Sequence, residues 1–205
     1  TFDQLNFELN PWKTGPLNTL NQLLATTGKG KTTPTIIQLS RLGQHFSKLS
    51  NGLFDPAIGK LIKSWQFDDA SNTPHQPVSK DIHTIIDTNP GMHQISITPP
   101  YIRTKNRQIQ LDFGGMAKGY AVNVAIEILK EEGILSAIVN AGGDLKTIGN
   151  KQGKPWQIGI RHPRKAGAIA GVSALDGDAV FTSGDYERYI EKDGKHQHHI
   201  LDPTT

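Results

Sequence analysis

The stretch richest in chemistry is Leu111-Asp112-Phe113-Gly114-Gly115-Met116-Ala117-Lys118-Gly119-Tyr120-Ala121-Val122. It reads as a strand end, a glycine pair and a helix start. Free main-chain N–H groups and the positive end of the helix dipole favour an anion at such a start. Gly114, Gly115 and Gly119 would let a bulky phosphate approach the backbone. Lys118 falls in the first turn, where the dipole disfavours a cation. A phosphate between the two would resolve that conflict. A glycine-rich connection with a surface lysine is the plainer account, because an isolated glycine motif has low specificity.

Two further segments have the same make-up. Asn140-Ala141-Gly142-Gly143-Asp144 and Thr182-Ser183-Gly184-Asp185-Tyr186 each follow a short apolar run. Either alone reads as a turn. Three such strand ends together point to a shared polyphosphate pocket, with Asp144, Ser183 and Asp185 as candidate contacts. A fourth segment, His196-Gln197-His198-His199-Ile200-Leu201-Asp202-Pro203, carries three histidines. On a strand His196 and His198 face one side, His199 and Leu201 the other. That alternation does not converge on one metal ion. His199, close to Asp202, reads either as a partly buried histidine or as a general base, since imidazole titrates near neutrality. Gly30-Lys31-Thr32 imitates the end of a phosphate-binding P-loop. Ala25 stands where that motif needs glycine, and Thr33-Pro34 opposes the helix that should follow, so a solvated basic loop is expected.

These residues must be positioned by regular elements. Helices are predicted at Pro16–Leu24, Thr35–Leu49, Pro56–Trp65, near Asp81–Ile86, and at Gly115–Glu132. The second is expected to bury Ile36, Ile37, Leu39, Leu42, Phe46 and Leu49. The last is expected to bury Met116, Tyr120, Ala121, Val124, Ile128 and Leu129. Residues 68 to 80 read as an exposed loop. Ile95/Ile97 and Ile109/Leu111 read as two strands joined by a turn near Thr104-Lys105-Asn106. Later strands are expected at Ala137–Val139, Trp156–Ile160, Ile169–Ala174, Ala179–Thr182, Tyr186–Ile190 and His198–Leu201. The fold class is α+β, a mainly antiparallel sheet with packed helices. A single domain over residues 1 to 205 is expected, helix-rich to about residue 90 and strand-rich from about 91.

Composition narrows the function. With no cysteine, disulfides and cysteine-based metal sites are excluded. Lys plus Arg number 22 against 19 Asp plus Glu, a net charge of +3. Spread along the chain, this permits an anionic substrate but is not the concentrated stripe of a nucleic-acid binder. No run approaches the ~20 apolar residues of a membrane span. The chain opens at Thr1 and closes at Thr205, and both ends are expected to be cut ends.

The motifs, in order, resemble the ApbE family of FAD:protein FMN transferases. Gly52-Leu53-Phe54-Asp55-Pro56-Ala57-Ile58-Gly59-Lys60-Leu61 with Trp65-Gln66-Phe67 resembles the family's "GaFDPtvgpLv…WgF". Residues 111 to 122 resemble "lDlGGiAKGyav", 139 to 144 "vnaGGD", and 154 to 160 "gkpWqvgI". Residues 182 to 188 resemble "TSGdYeR", and 199 to 203 "HIiDP". Asn123 departs from the family's usual aspartate, and Trp12 to Asn21 only loosely echo its N-terminal pattern. A later family segment with a metal-binding aspartate has no counterpart before Thr205, and is expected outside this chain. The resemblance implies an ApbE-like fold and phosphoryl transfer. FMN would pass from FAD to a Thr or Ser of an acceptor protein, with release of AMP and dependence on Mg²⁺. It implies Lys118 and the glycines on phosphate, the Ala117 carbonyl as a metal ligand, and His199 as base. Asp144 and Asp185 would contact ribose or adenine, or brace loops. An FAD carrier or an FAD pyrophosphatase is the alternative. The family habit also implies export to a bacterial periplasm, with an N-terminal lipid anchor outside this chain.

Overall fold

The computed structural model describes residues 1–67, 77–185, 189–192 and 194–203. The chain divides into two compact units, one formed by Phe2–Gly115 with Arg188–Thr205, the other by Met116–Glu187 with Thr1. Strand pairing is antiparallel throughout the named strands, so the α+β expectation holds. No helix among the described residues is long and apolar enough to cross a membrane.

The first unit opens with α1 (Phe2–Leu9) and α2 (Pro16–Thr26). Pro16 sits at the start of α2, where its missing N–H costs nothing. Leu17, Leu20 and Leu24 are fully buried along one face. Burial of each stabilises the fold by about 1.5–3 kcal/mol. Next come β1 (Lys29–Lys31) and α3 (Pro34–Leu49), whose N-cap Thr33 accepts a hydrogen bond from Ile36 N. The basic loop expected over residues 28 to 34 is thus partly a strand. Its one inward position is Gly30, buried on Leu20 and Leu23, so no apolar alternation marks it.

The buried face of α3 differs from expectation. Ile36, Ile37, Leu39, Ser40, Gly43 and Ser47 are inside, while Leu42, Phe46 and Leu49 are exposed. Small residues at 40, 43 and 47 let the helix close on its neighbours: a Cβ on Gly43 would stand 3.0 Å from Pro56 Cγ. Asp55 is the hub of this region. Its carboxylate accepts hydrogen bonds from Ser47 Oγ (2.8 Å), Ala57 N (2.8 Å) and Met92 N (3.0 and 3.1 Å). Because Asp55 holds residue 57 in a turn, α4 begins only at Gly59 and ends at Ser64. It packs Ile58 and Leu61 on Ile85 of α5 (Ser79–Ile86), with Leu201 against the same cluster. Of the expected 68 to 80 loop, residues 68 to 76 lie outside the described residues.

β2 (Ile95–Thr98) and β3 (Tyr101–Thr104) pair across Pro99-Pro100, in a sheet ordered β1-β3-β2. The hairpin therefore turns at residues 99–100, not at 104–106. Ile109 and Leu111 are fully buried but form only an isolated bridge, Gln110 with Ile58. Their segment is gripped by side chains and turns instead. Asn21 donates Nδ2 to Leu111 O (2.9 Å) and accepts Leu111 N at Oδ1 (2.8 Å). Gly59 N donates to Gln110 O and Asp112 N to Pro56 O. β9 (Tyr189–Lys192) and β10 (Lys195–His198) form a hairpin. The predicted strand at 186 to 190 is described only from Tyr189, and the one predicted from His198 ends there instead.

In the other unit, α6 (Gly114–Glu131) packs on the sheet β4 (Ala137–Ala141), β5 (Asp144–Ile148) and β8 (Ala179–Val180). Val122 and Ile126 are fully buried against Ile148, joined by Leu129, Ala137, Val139 and Ala141. The packing face is thus 122/126/129, not Met116/Tyr120/Val124/Ile128, and Ile128 is exposed. The helix carries apolar residues on most of its circumference, so periodicity alone left its inner face ambiguous. β6 (Trp156–Arg161) and β7 (Ile169–Leu175) form a separate hairpin.

Candidate functional site

The glycine pair starts a helix, as the sequence suggested. Gly114 N donates to Asp112 Oδ1 at 2.7 Å, so the aspartate two residues before satisfies one free donor of α6. Gly114 and Gly115 are exposed. A Cβ on Gly115 would come 3.1 Å from Phe54 Cε2, and one on Gly119 3.2 Å from Phe181 Cε1. Two of the three glycines thus have a packing reason as well as room for an anion. Ala117 lies in the first turn of the same helix.

Lys118 and Asp144 are brought together. Lys118 Nζ lies 3.1 Å from Asp144 Oδ2; the lysine side chain is 54% exposed and the aspartate 12%. The carboxylate therefore offsets the unfavourable helix dipole at Lys118 and fixes the ammonium from below. Asp144 is placed by a two-residue hairpin. Ala141 pairs with Asp144, and Gly142 (φ 67°) and Gly143 (φ 97°) both take the left-handed conformation that a type I′ turn requires. Asn140 Oδ1 accepts Gly143 N at 2.9 Å and closes it.

Ser183 is exposed in an irregular segment. Asp185 is engaged by Arg164 in a bidentate pair, Nη1 to Oδ1 at 3.0 Å and Nη2 to Oδ2 at 2.6 Å. Arg164 is itself positioned by His162, whose Nδ1 accepts the main-chain N–H groups of Arg164 (3.0 Å) and Lys165 (3.1 Å). Sequence reasoning did not find Arg164 or His162, because neither sits in a glycine motif. Tyr186 to Arg188 lie outside the described residues.

His199 lies in the bend after β10, half-buried, with its ring edge-on to Phe67 (6.4 Å between centroids, 68°). Phe67 is 3% exposed and stacks on Trp65 at 6.0 Å. Phe67, backed by Trp65, is therefore a ring against which His199 packs. His198 Nδ1 is buried, with no hydrogen-bond partner among the described residues. The side chain of His196 lies outside the described ones.

Among the described residues no group of three or more His, Cys, Asp or Glu side chains can hold a metal ion. The Ala117 carbonyl does not make a site by itself. For an anionic ligand the fit is better: exposed glycines at a helix start, with a half-exposed ammonium one turn on.

The model of the ApbE family matches residues 1–205. A FAD:protein FMN transferase of Rhodobacter capsulatus is 34% identical over 206 residues, covering 100% of this chain and 39% of that protein. One from Klebsiella pneumoniae (strain 342) is 33% identical over 170 residues, covering 82% and 52%. Among solved structures, the ApbE protein of Thermotoga maritima has a TM-score of 0.89 at 30% identity, covering 98% of this chain and 65% of that one. The flavinyl transferase ApbE of Pseudomonas stutzeri, in its apo form, has a TM-score of 0.84 at 33% identity, covering 98% and 62%. The chain spans 39% and 52% of the length of the two curated relatives. With a family match from end to end and the fold of its solved members, this chain belongs to the ApbE family.

Proposed function

We propose that the protein is an FAD:protein FMN transferase. The observation that carries this reading is the Lys118–Asp144 pair one turn into a glycine-led helix. It presents a fixed, half-exposed cation one turn from a helix N-terminus, a pairing suited to a pyrophosphate. Family membership supports the rest.

In this reading the hydroxyl oxygen of a Thr or Ser on an acceptor protein attacks the FMN-side phosphorus of FAD. The new P–O bond forms as the bond to the AMP oxygen breaks, and AMP leaves. The proton of the acceptor hydroxyl passes to the imidazole of His199, held by Phe67. Lys118 binds phosphate oxygen, and Gly114, Gly115 and Gly119 keep side chains out of the approach. Such transfer asks of the protein mainly position and charge. Asp144 orients Lys118. Asp185, clamped by Arg164, braces the segment that presents Ser183. Mg²⁺ belongs to this proposal as a requirement, with the Ala117 carbonyl as one ligand; when bound it neutralises phosphate charge. Export to the periplasm with an N-terminal lipid anchor is also proposed, on family habit alone, and cell fractionation tests it.

The experiment is incubation of the protein with FAD, Mg²⁺ and a candidate acceptor. Flavin covalently attached to the acceptor, with AMP released in equal amount, supports transfer. Free FMN with AMP means a pyrophosphatase. FAD bound but unchanged means a carrier. Omission of Mg²⁺ should abolish turnover.

A further inference from the structure

The fold gathers four of the 22 lysines and arginines on one surface. β1 and β3 pair with Lys29 opposite Arg103 and Lys31 opposite Tyr101. Gly30 and Ile102 face inward, so Lys29, Lys31 and Arg103 share the outer face. Lys105 follows at the end of β3. Among the described residues none of these four cations is ion-paired. The sequence explains why: there is no Asp or Glu from Leu9 to Phe54, nor from Thr88 to Leu111.

This face borders a groove of about 1170 Å³ lined by Lys29, Arg103, Lys105, Arg107 and polar side chains such as Ser96 and Gln108. Its floor is built in advance. Asn106 Nδ2 donates to Thr88 O (2.9 Å) and Gln94 Oε1 (2.7 Å), and Asn106 Oδ1 accepts Gln108 N (2.9 Å). Arg107 Nη1 donates to Leu24 O at 3.1 Å, and its guanidinium lies where a Cβ on Gly28 (φ +73°) would stand. A surface ordered before binding loses less entropy on binding.

We propose that this face and groove dock an extended acidic segment of a partner polypeptide. The groove exceeds the ~300–1,000 Å³ typical of small-ligand pockets, which favours a chain over a small anion. A bilayer surface is disfavoured because, among the described residues, no exposed large apolar residue belongs to β1, β3 or the groove lining. Single-stranded nucleic acid needs open ring faces for stacking. The one tyrosine here, Tyr101, is occupied by Lys29 Nζ (4.3 Å from the ring centroid) and Arg103 Cζ (5.5 Å). An acidic polypeptide needs only the cations and the hydrogen-bonding rim. The inference does not depend on the flavin-transfer reading.

The test is fluorescence anisotropy with a labelled Glu/Gly peptide, against the same peptide with Gln for Glu. The Glu peptide should bind and the Gln peptide should not. Lys29→Gln/Arg103→Gln/Lys105→Gln should weaken binding about tenfold or more, and Lys105→Gln alone, an exposed turn position, about threefold. Binding should weaken with salt, as screening predicts. Lys130→Gln/Lys154→Gln, outside this face, should leave it within about twofold. Equal binding of both peptides, or equal loss in the control variant, overturns the proposal. So does binding to anionic phospholipid vesicles or an oligonucleotide that the triple variant loses, with none to the Glu peptide.

Discussion

The side-chain amide of Asn21 hydrogen-bonds both main-chain groups of Leu111, taking the place of a neighbouring strand. A residue on α2 thereby fixes the segment that leads into Gly114. Without it, the buried N–H and C=O of Leu111 have no strand to pair with. Asn21→Ala should therefore cost about 3 kcal/mol, since each unsatisfied buried group costs about 1–3 kcal/mol. Urea denaturation measures this. A loss below about 0.5 kcal/mol would show that water replaces the amide.

Lys118→Ala should weaken FAD binding about tenfold, the scale of one charge-assisted contact. Stability should change little, because a half-exposed ion pair contributes about 0–1 kcal/mol. Asp144→Asn should weaken binding less, since the ammonium remains but is no longer fixed. Calorimetric titration with FAD checks both variants. Unchanged affinity in Lys118→Ala would remove the lysine from the phosphate site.

His199→Ala should slow flavin transfer by about 10²- to 10⁴-fold, the usual range for a general base, with FAD affinity near normal. Phe67→Leu should give a smaller loss of the same kind, because it loosens the imidazole without removing it. A single-turnover assay with acceptor separates turnover from binding. If His199→Ala abolishes FAD binding instead, the histidine is structural.

Lys60 gives a pH test. Its ammonium donates to Arg107 O (2.9 Å) and Gln108 Oε1 (2.8 Å). Burial first, and Lys63 second, hold its pKa below the ordinary lysine value. Between that lowered value and about 10.4 the unfolded chain binds more protons, so this group's contribution to stability rises with pH. Wild type should gain on Lys60→Met as pH rises towards about 10.4. A stability difference that is flat or falling with pH contradicts this.

Much of this was legible in the sequence where local chemistry decides structure. Pro16 and Thr33-Pro34 mark the starts of α2 and α3, and Gly114-Gly115 the start of α6. The ordered motifs carried the family. What stayed hidden depends on partners remote in sequence. β1 has glycine at its buried position, so it shows no apolar signal. α1 exposes Phe2 and Phe7 and buries only Leu9, so it has no clear face. The hold of Asn21 on Leu111, and the clamp of Arg164 on Asp185, join residues that no spacing rule connects.

The two-residue turn at Gly142-Gly143 makes the position of Asp144 a matter of parity. Side chains along β5 alternate between faces, so the count of residues since β4 decides which face the carboxylate takes. One residue inserted in that turn, with the β4–β5 pairing shifted to match, would send Asp144 to the opposite face together with Lys146 and Ile148, and so also take Ile148 from its packing on Val122 and Ile126. The ion pair with Lys118 would vanish with no side chain replaced. Substitution scanning is blind to such a change. A length variant of the turn reports on the pair and on the packing of Ile148 together, without altering the chemistry of any partner.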